Sequence, residues 1–475
     1  MISVAPLAED LRRAIGADRV RAGGAELSLY RRDAGHMTGV ASVVCFPMTT
    51  AEVAACVRIA TDAGVPFVAR GSGTGLAGGA VPPDGSVVIS LTKMNRIRSV
   101  DPDTRRAWVE PGVLNLDLSR AVAEHGLHFA PDPSSQQTCT IGGNVANNSG
   151  GPHCLAEGVT ASHIVALEVV LPDGTVAMLG GEDPEPPGYD LRGVFVGSEG
   201  MCGIATGICV RLTQDPPVVR TMLLDFDAIE TGASTVSDII AAGIVPAAME
   251  MMDRLCLQAV EAYIHAGLPV DSATALLVEV VGLPEAVDSD TAAIVAIAER
   301  HDVGTVRIAA DEAERALLWK GRKSAFGAIA RIKPNYYLHD TVVPRHELPG
   351  VLAQVYDIAA RFELDVLNVF HAGDGNLHPL LLFDEREPGV MERVLAAGDA
   401  IVAASVAAGG VLSGEHGIGL EKRELMPLMF SDVDLAAQAA LRRAFDPDER
   451  SNPGKVLPSP ARCADLQSVP AGAWV

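Results

Sequence analysis

Residues near the C-terminal third of the chain have the types and spacing to hold a metal. Val369-Phe-His371-Ala-Gly-Asp374-Gly375-Asn376-Leu-His378 places two histidines around an Asp-Gly pair, a preferred two-residue hairpin turn. With Asp374 and Gly375 in the turn, His371 is predicted directly opposite His378. Facing side chains of antiparallel strands have Cβ atoms roughly 4.5–5.5 Å apart, so both imidazoles could ligate one ion. Each histidine alone would more simply be a half-buried structural residue; the turn is what pairs them. A third ligand is offered by Ser413-Gly-Glu415-His416-Gly-Ile-Gly419, a carboxylate beside a histidine in a glycine-rich loop. Two histidines and one carboxylate suit Zn, Mn or Fe. Metal-assisted hydrolysis is one chemistry such a set could run.

A second constellation is built from backbone. Arg70-Gly71-Ser72-Gly73-Thr74-Gly75-Leu-Ala-Gly78-Gly79 carries five glycines in nine residues after a predicted strand. Gly73 to Gly78 matches Gly-x-Gly-x-x-Gly, yet a Rossmann loop must open a helix whose N-terminus holds the pyrophosphate. Here Ala-Val-Pro-Pro-Asp-Gly follows, and those prolines cannot continue a helix. The loop is therefore read as an anion-binding nest of backbone N–H groups, suited to a diphosphate, because so many glycines are costly for an ordinary turn. Two more segments have the small polar residues and glycines of a loop around a large polar ligand. They are Pro131-Asp132-Pro-Ser134-Ser135 through Gly142-Gly143-Asn144 to Gly151, and Ser198-Glu199-Gly200-Met-Cys-Gly203-Ile204.

The elements that must position these residues fall into two patterns. Ala51 to Ala63 has helical apolar spacing, followed by predicted strands at 66–69, 86–91, 105–110, 164–171, 175–179, 193–196 and 203–212. Past Pro216-Pro217, strands at 220–226, 275–281 and 305–309 alternate with helices at 231–242, 286–299 and 312–329, and the histidine hairpin follows at 365–383. This predicts an α+β domain with helices on one face of its sheet. The net charge of −23 disfavours nucleic acid and anionic lipid partners. Neither a secretory signal nor a bilayer-spanning stretch is expected. Eight scattered cysteines, without a Cys-x-x-Cys pair, fit reduced thiols in the cytoplasm and exclude an iron–sulfur motif in this chain.

The three loop segments together resemble the FAD domain of the vanillyl-alcohol oxidase / p-cresol methylhydroxylase superfamily. The hairpin and the Glu415-His416 loop extend that resemblance to the FAD-linked oxidase C-terminal domain of D-lactate, D-2-hydroxyglutarate and glycolate dehydrogenases. Pro334-Asn-Tyr-Tyr, Asn368 to Leu380 and Ser413 to Gly419 are most similar to its glycolate oxidase branch. The implied fold is α+β: a two-part FAD-binding domain (38–216) after an N-terminal helical segment (1–37), then an α+β substrate domain with an antiparallel sheet (217–457). A tail at 458–475 is expected to be mobile.

By the same resemblance, Arg70 to Gly79 hold the FAD diphosphate. Pro131, Asp132, Ser134, Ser135, Gly142, Gly143 and Asn144 line the flavin. Glu199, Gly200, Ile204 and Asn452 lie along the rest of the cofactor. No histidine stands in the glycine loop, which implies non-covalent FAD. His371, His378 and Glu415 become metal ligands, His416 the catalytic base, Asn376 a site-shaping residue and Arg322 the partner of the substrate carboxylate. Leu338 and Leu380 replace a lysine and an asparagine of the 2-hydroxyglutarate enzymes, so a small monocarboxylate is expected, glycolate first. Electrons then go to a second flavin-domain subunit and an iron–sulfur subunit, which could hold the chain at the inner membrane. A free-standing D-lactate or other D-2-hydroxy-acid dehydrogenase, a subunit serving assembly rather than catalysis, and a metal hydrolase are the rivals.

Overall fold

The computed structural model describes residues 4–183 and 187–459; the tail expected to be mobile lies largely outside these. The chain forms two compact units. One comprises the described residues of 1–150, 159–215 and 415–475, the other 151–158 and 216–414.

The first unit holds a four-stranded sheet and a five-stranded antiparallel sheet. In the four-stranded sheet, Val43–Cys45 and Phe67–Arg70 flank Val87–Ser90 in parallel. Parallel strands are buried on both faces, and Val87–Ser90 is buried at all four positions, covered by the amphipathic helices Val4–Ile15 and Thr50–Asp62. The glycine loop leaves the C-terminal end of Phe67–Arg70. The predicted strand at 193–196 is instead a short helix, Leu191–Phe195, whose N-cap Asp190 accepts the Gly193 N–H. Capping chemistry overrides the β-favouring Val-Phe-Val there.

The second unit is built on a nine-stranded antiparallel sheet in which Val218–Phe226, Thr274–Gly282, Ala248–Asp253 and Asp365–His371 are successive neighbours. Its Met222, Leu224, Met249, Met251, Leu276, Val278 and Phe370 point to one face. They form a core with the helices Ile229–Ala241, Pro284–Arg300, Leu348–Arg361 and Val390–Ala407. Helices cover the other face as well, against the one-sided expectation: Arg254–Ile264 packs on the central strands, and Glu312–Lys323 bonds to them. The reason is visible in Ala248–Asp253, buried at all six positions, so neither face can be left to water.

Candidate active site

The hairpin brings His371 and His378 together, but not by the predicted register. His371 pairs with Asn376, and Asn368 with Pro379, so His378 falls diagonal to His371 rather than opposite it. The turn is longer than two residues because Gly373 is drawn away, its N–H donating to the Met249 carbonyl on the neighbouring strand at 3.1 Å. Gly375 at φ +79° closes it, and a side chain there would strike the Val343 carbonyl. A slip of two residues preserves the face, so the rings still meet, with centroids 5.0 Å apart. Ligand atoms of His371, His378 and Glu415 all lie within 4.8 Å of one another; Glu415 directly follows Gly414 of this unit. Two imidazoles and a carboxylate at that spacing fit one divalent ion.

The buried partners of these histidines were not visible in the sequence. Glu250, fully buried on Ala248–Asp253, sits across from His371 and bonds its Nδ1 at 2.7 Å. Its other oxygen lies 2.5 Å from Arg322 Nη2. Burial pushes the Glu250 carboxyl up, but Arg322 and His371 outweigh it and hold the group below its ordinary value. Asp340 Oδ1 stands 3.6 Å from His378 Nε2, and Asp340 accepts the Ser413 hydroxyl at 2.5 Å and the Gly414 N–H at 3.0 Å. It thereby ties the loop that leads into Glu415 to the hairpin. The one available signal for Glu250 was a lone acid in the apolar run Ala-Ala-Met-Glu-Met-Met.

Arg322 is 1% exposed, and none of its guanidinium nitrogens makes a hydrogen bond to a described residue; its Glu250 contact is an ion pair only. A buried guanidinium with spare donors suits a planar carboxylate. Asn376 is also buried, with its Oδ1 unsatisfied among the described residues, and a side chain at Gly414 would collide with its amide. Leu338 and Leu380 are buried and pair directly across strands. Leu380 alternates onto the same face as His378. A separate cavity of about 350 Å³ near Asp253, Arg254 and Tyr356 contains none of the predicted residues.

In the first unit, the predicted cofactor residues gather around close backbone approaches. Gly73 and Gly78 adopt φ +76° and +82°. A Cβ on Gly71 would collide with Thr140, and one on Gly73 with the Arg70 guanidinium. Arg70 donates to the Ala80 carbonyl and lies over the Tyr30 ring. Ser72, Thr74, Gly75 and Gly79 complete that loop. Thr140 caps Ile141–Asn147, which holds Gly142, Gly143 and Asn144, by accepting the Gly143 N–H. Asn115, a residue missed in the sequence, donates to the Pro131 carbonyl and the Asn144 side chain, binding the Pro131–Ser135 loop to that helix. Asp132, Ser134 and Ser135 belong to this loop. Ile204 is spent on the core, which leaves only its backbone for a ligand.

Glu199, at φ +51°, accepts the Ile418 N–H at 2.7 Å; Asn452 donates to the carbonyls of Glu199 and Gly79. Burial pushes the Glu199 carboxyl up to about 7. His416 is held in the same unit through its carbonyl, which accepts from Asn147. Ser198 Oγ, Glu199 Oε2, Asn452 Oδ1 and Asn115 Oδ1 are buried without a hydrogen-bond partner among the described residues. Glycine cradles and unsatisfied polar atoms together fit a large ligand rich in hydroxyls and phosphate, as FAD is.

Comparison with known proteins agrees with both halves. The FAD binding domain matches residues 41–180, and the FAD linked oxidases C-terminal domain matches 215–456. The chain is 46% identical to the glycolate oxidase subunit GlcD of Escherichia coli over 89% of its own length and 85% of the relative's. Identity to the Bacillus subtilis GlcD is 41%, over 88% and 89%. A D-lactate dehydrogenase of Anaerostipes hadrus shares 30%, over 86% and 88%. The fold is that of p-cresol methylhydroxylase (TM-score 0.80, 19% identity, 96% and 97% covered) and of a 4-ethylphenol oxidase from Gulosibacter chungangensis (0.78, 20%, 96% and 98%). A metal hydrolase is therefore set aside, and the chain belongs to the FAD-linked oxidases, with both the FAD-binding and the C-terminal domain of that family.

Proposed function

We propose that this protein oxidises a small 2-hydroxy acid, glycolate first, to the 2-oxo acid. The electrons leave through non-covalently held FAD to partner subunits or a carrier. The observation that carries the substrate class is Arg322: a buried guanidinium with donors unused among the described residues, beside the carboxylate that holds His371. It supports binding of a carboxylate next to a metal-capable cluster.

Arg322 receives the substrate carboxylate and fixes the position of the carbon beside it. Glu250 accepts a hydrogen bond from the Nδ1–H of His371 and so fixes the tautomer, leaving Nε2 for a divalent ion. Asn376 offers toward the same face an Oδ1 that no described residue satisfies. His416, next in the chain after Glu415, takes the hydroxyl proton as general base. When bound, FAD supplies the two-electron acceptor for the α-hydrogen, and a divalent ion at His371, His378 and Glu415 supplies Lewis acidity toward the hydroxyl. Leu338 and Leu380 offer no partner for a second carboxylate, which supports a monocarboxylate substrate.

Among the described residues no helix is long and apolar enough to cross a membrane, and the cysteines offer no cluster motif for onward transfer. The similarity to proteins named as glycolate oxidase subunits supports partners that take the electrons; the partners proposed are a second flavin-domain chain and an iron–sulfur chain, in the cytoplasm. Anaerobic addition of 2-hydroxy acids to the yellow protein tests this reading. Glycolate is expected to bleach the flavin fastest, D-lactate more slowly and 2-hydroxyglutarate least. Full turnover by the isolated chain with oxygen alone would remove the case for partners.

A further inference from the structure

The face of the sheet that carries Glu250 and His371 holds a second buried carboxylate for which the chemistry above has no use. Glu279 is 1% exposed and accepts from Thr221 Oγ1 at 2.5 Å, Trp319 Nε1 at 2.6 Å, and Arg315 Nε and Nη2 at 2.9 and 3.0 Å. His153 Nε2 stands 3.4 Å away, its ring stacked on Trp319. Burial pushes the carboxyl up, but His153, Arg315 and Thr221 outweigh it and hold the group far below the usual range.

The donors lie along one stripe of the Glu312–Lys323 helix. Arg315, Trp319 and Arg322 are spaced four and three residues apart, so they share a face. Their acceptors sit on neighbouring antiparallel strands. Glu250 pairs with Leu277 and Ala248 with Glu279, so the two carboxylates share one face, offset diagonally. The helix is therefore fastened twice: at Glu279 by Arg315 and Trp319, and two turns on, about 10.5 Å along the axis, at Glu250 by Arg322. The helix also packs on Arg254–Ile264, and its Glu314 bonds to Arg307, but the tie at Glu279 is what fixes its height and roll over the strand pair that carries both carboxylates. Guanidinium recognition of a carboxylate is bidentate and planar, so the height and roll of the helix decide whether Arg322 can grip a substrate.

We propose that Glu279 is a positioning residue that sets the register of the Glu312–Lys323 helix, and thereby the affinity of Arg322 for the substrate carboxylate. The proposal rests on Arg322 binding that carboxylate. Its test uses the full-length, FAD-loaded protein, with anaerobic flavin reduction by glycolate giving both the substrate Kd and the limiting rate. Glu279→Gln is expected to raise Kd by about tenfold or more while lowering the limiting rate less, because the grip is displaced and not the base. FAD content and bound metal stay at the wild-type level. Trp319→Phe, which removes one donor and keeps the bulk, shifts Kd in the same direction by less. A wild-type Kd in Glu279→Gln overturns the proposal. So does a Glu279→Gln that loses FAD and folds poorly together with a Trp319→Phe whose Kd is unchanged. Arg322→Lys separates the two levels: an unchanged Kd there defeats the reading of Arg322 itself. A raised Kd in Arg322→Lys beside a normal one in Glu279→Gln defeats only the positioning role.

Discussion

The FAD-binding unit and the substrate unit build their sites by opposite means. In the first, loops leave the ends of sheets and bend sharply, at Gly73, Gly78, Glu199 and Asn452, which gathers backbone and short polar side chains at the proposed cofactor site. In the second, Glu250 and His371 stand on adjacent strands of one sheet and Arg322 on a helix over it, each fixed by a buried partner: Glu250 on His371 and Arg322, Asp340 on the loop into Glu415. A cofactor that stays bound can be held by many small contacts to backbone. A substrate that must be oriented to a fraction of an ångström needs side chains whose own positions are locked.

Substitutions in the two regions should therefore separate binding of cofactor from chemistry. The largest effect is expected at His416. His416→Ala should lower the limiting rate of flavin reduction by roughly 10²- to 10⁴-fold with FAD retained, measured by anaerobic stopped flow. A wild-type rate would remove His416 from the mechanism. Gly73→Ala is the converse. A Cβ there meets the Arg70 guanidinium and the φ of +76° is strained, so FAD affinity should fall by roughly one to two orders of magnitude, read by fluorescence of released flavin. His371→Ala should abolish stoichiometric divalent metal, measured by elemental analysis, while the flavin spectrum of the protein as isolated is unchanged. Loss of FAD in that variant would blur the division drawn here.

A subtler test lies in Glu199. Its carboxyl ionises at about 7 in the folded chain against an ordinary value of 4.5, because burial outweighs the Ile418 and Gly419 amides and the charges of Lys455 and Lys422. Between those two values the folded state binds the extra proton, so stability falls as pH rises from about 4.5 to about 7 and is level above. Glu199→Gln should flatten that slope by about 1–3 kcal/mol, compared as denaturant midpoints at pH 5 and pH 8. The smallest change is expected from Leu338→Lys with Leu380→Asn, which places polar groups on a buried cross-strand pair. Slow flavin reduction by 2-hydroxyglutarate should appear at some cost in stability.

The same contrast explains what was legible in the sequence. The glycine loop could be read because backbone binding demands glycine, and the proline that follows it excludes a helix. The pairing of His371 with His378 could be read because both positions alternate onto one face. Their register could not, because Gly373 bonds to Met249, more than a hundred residues away. Glu250, Asp340 and Asn115 were invisible for the same reason: each acts through a partner that only the sheet order or a distant loop supplies. The Leu191–Phe195 helix was misread as strand because local β propensity was weighed without the Asp190 cap.

The central claim is that a 2-hydroxy acid held by Arg322 reduces FAD held by the glycine loops. It is tested most directly by mixing the anaerobic, FAD-loaded protein with glycolate and following the flavin absorbance. Complete bleaching with release of glyoxylate, lost in Arg322→Ala and His416→Ala, is the predicted result. A flavin that stays oxidised with glycolate, D-lactate and other 2-hydroxy acids of either hand would contradict the account.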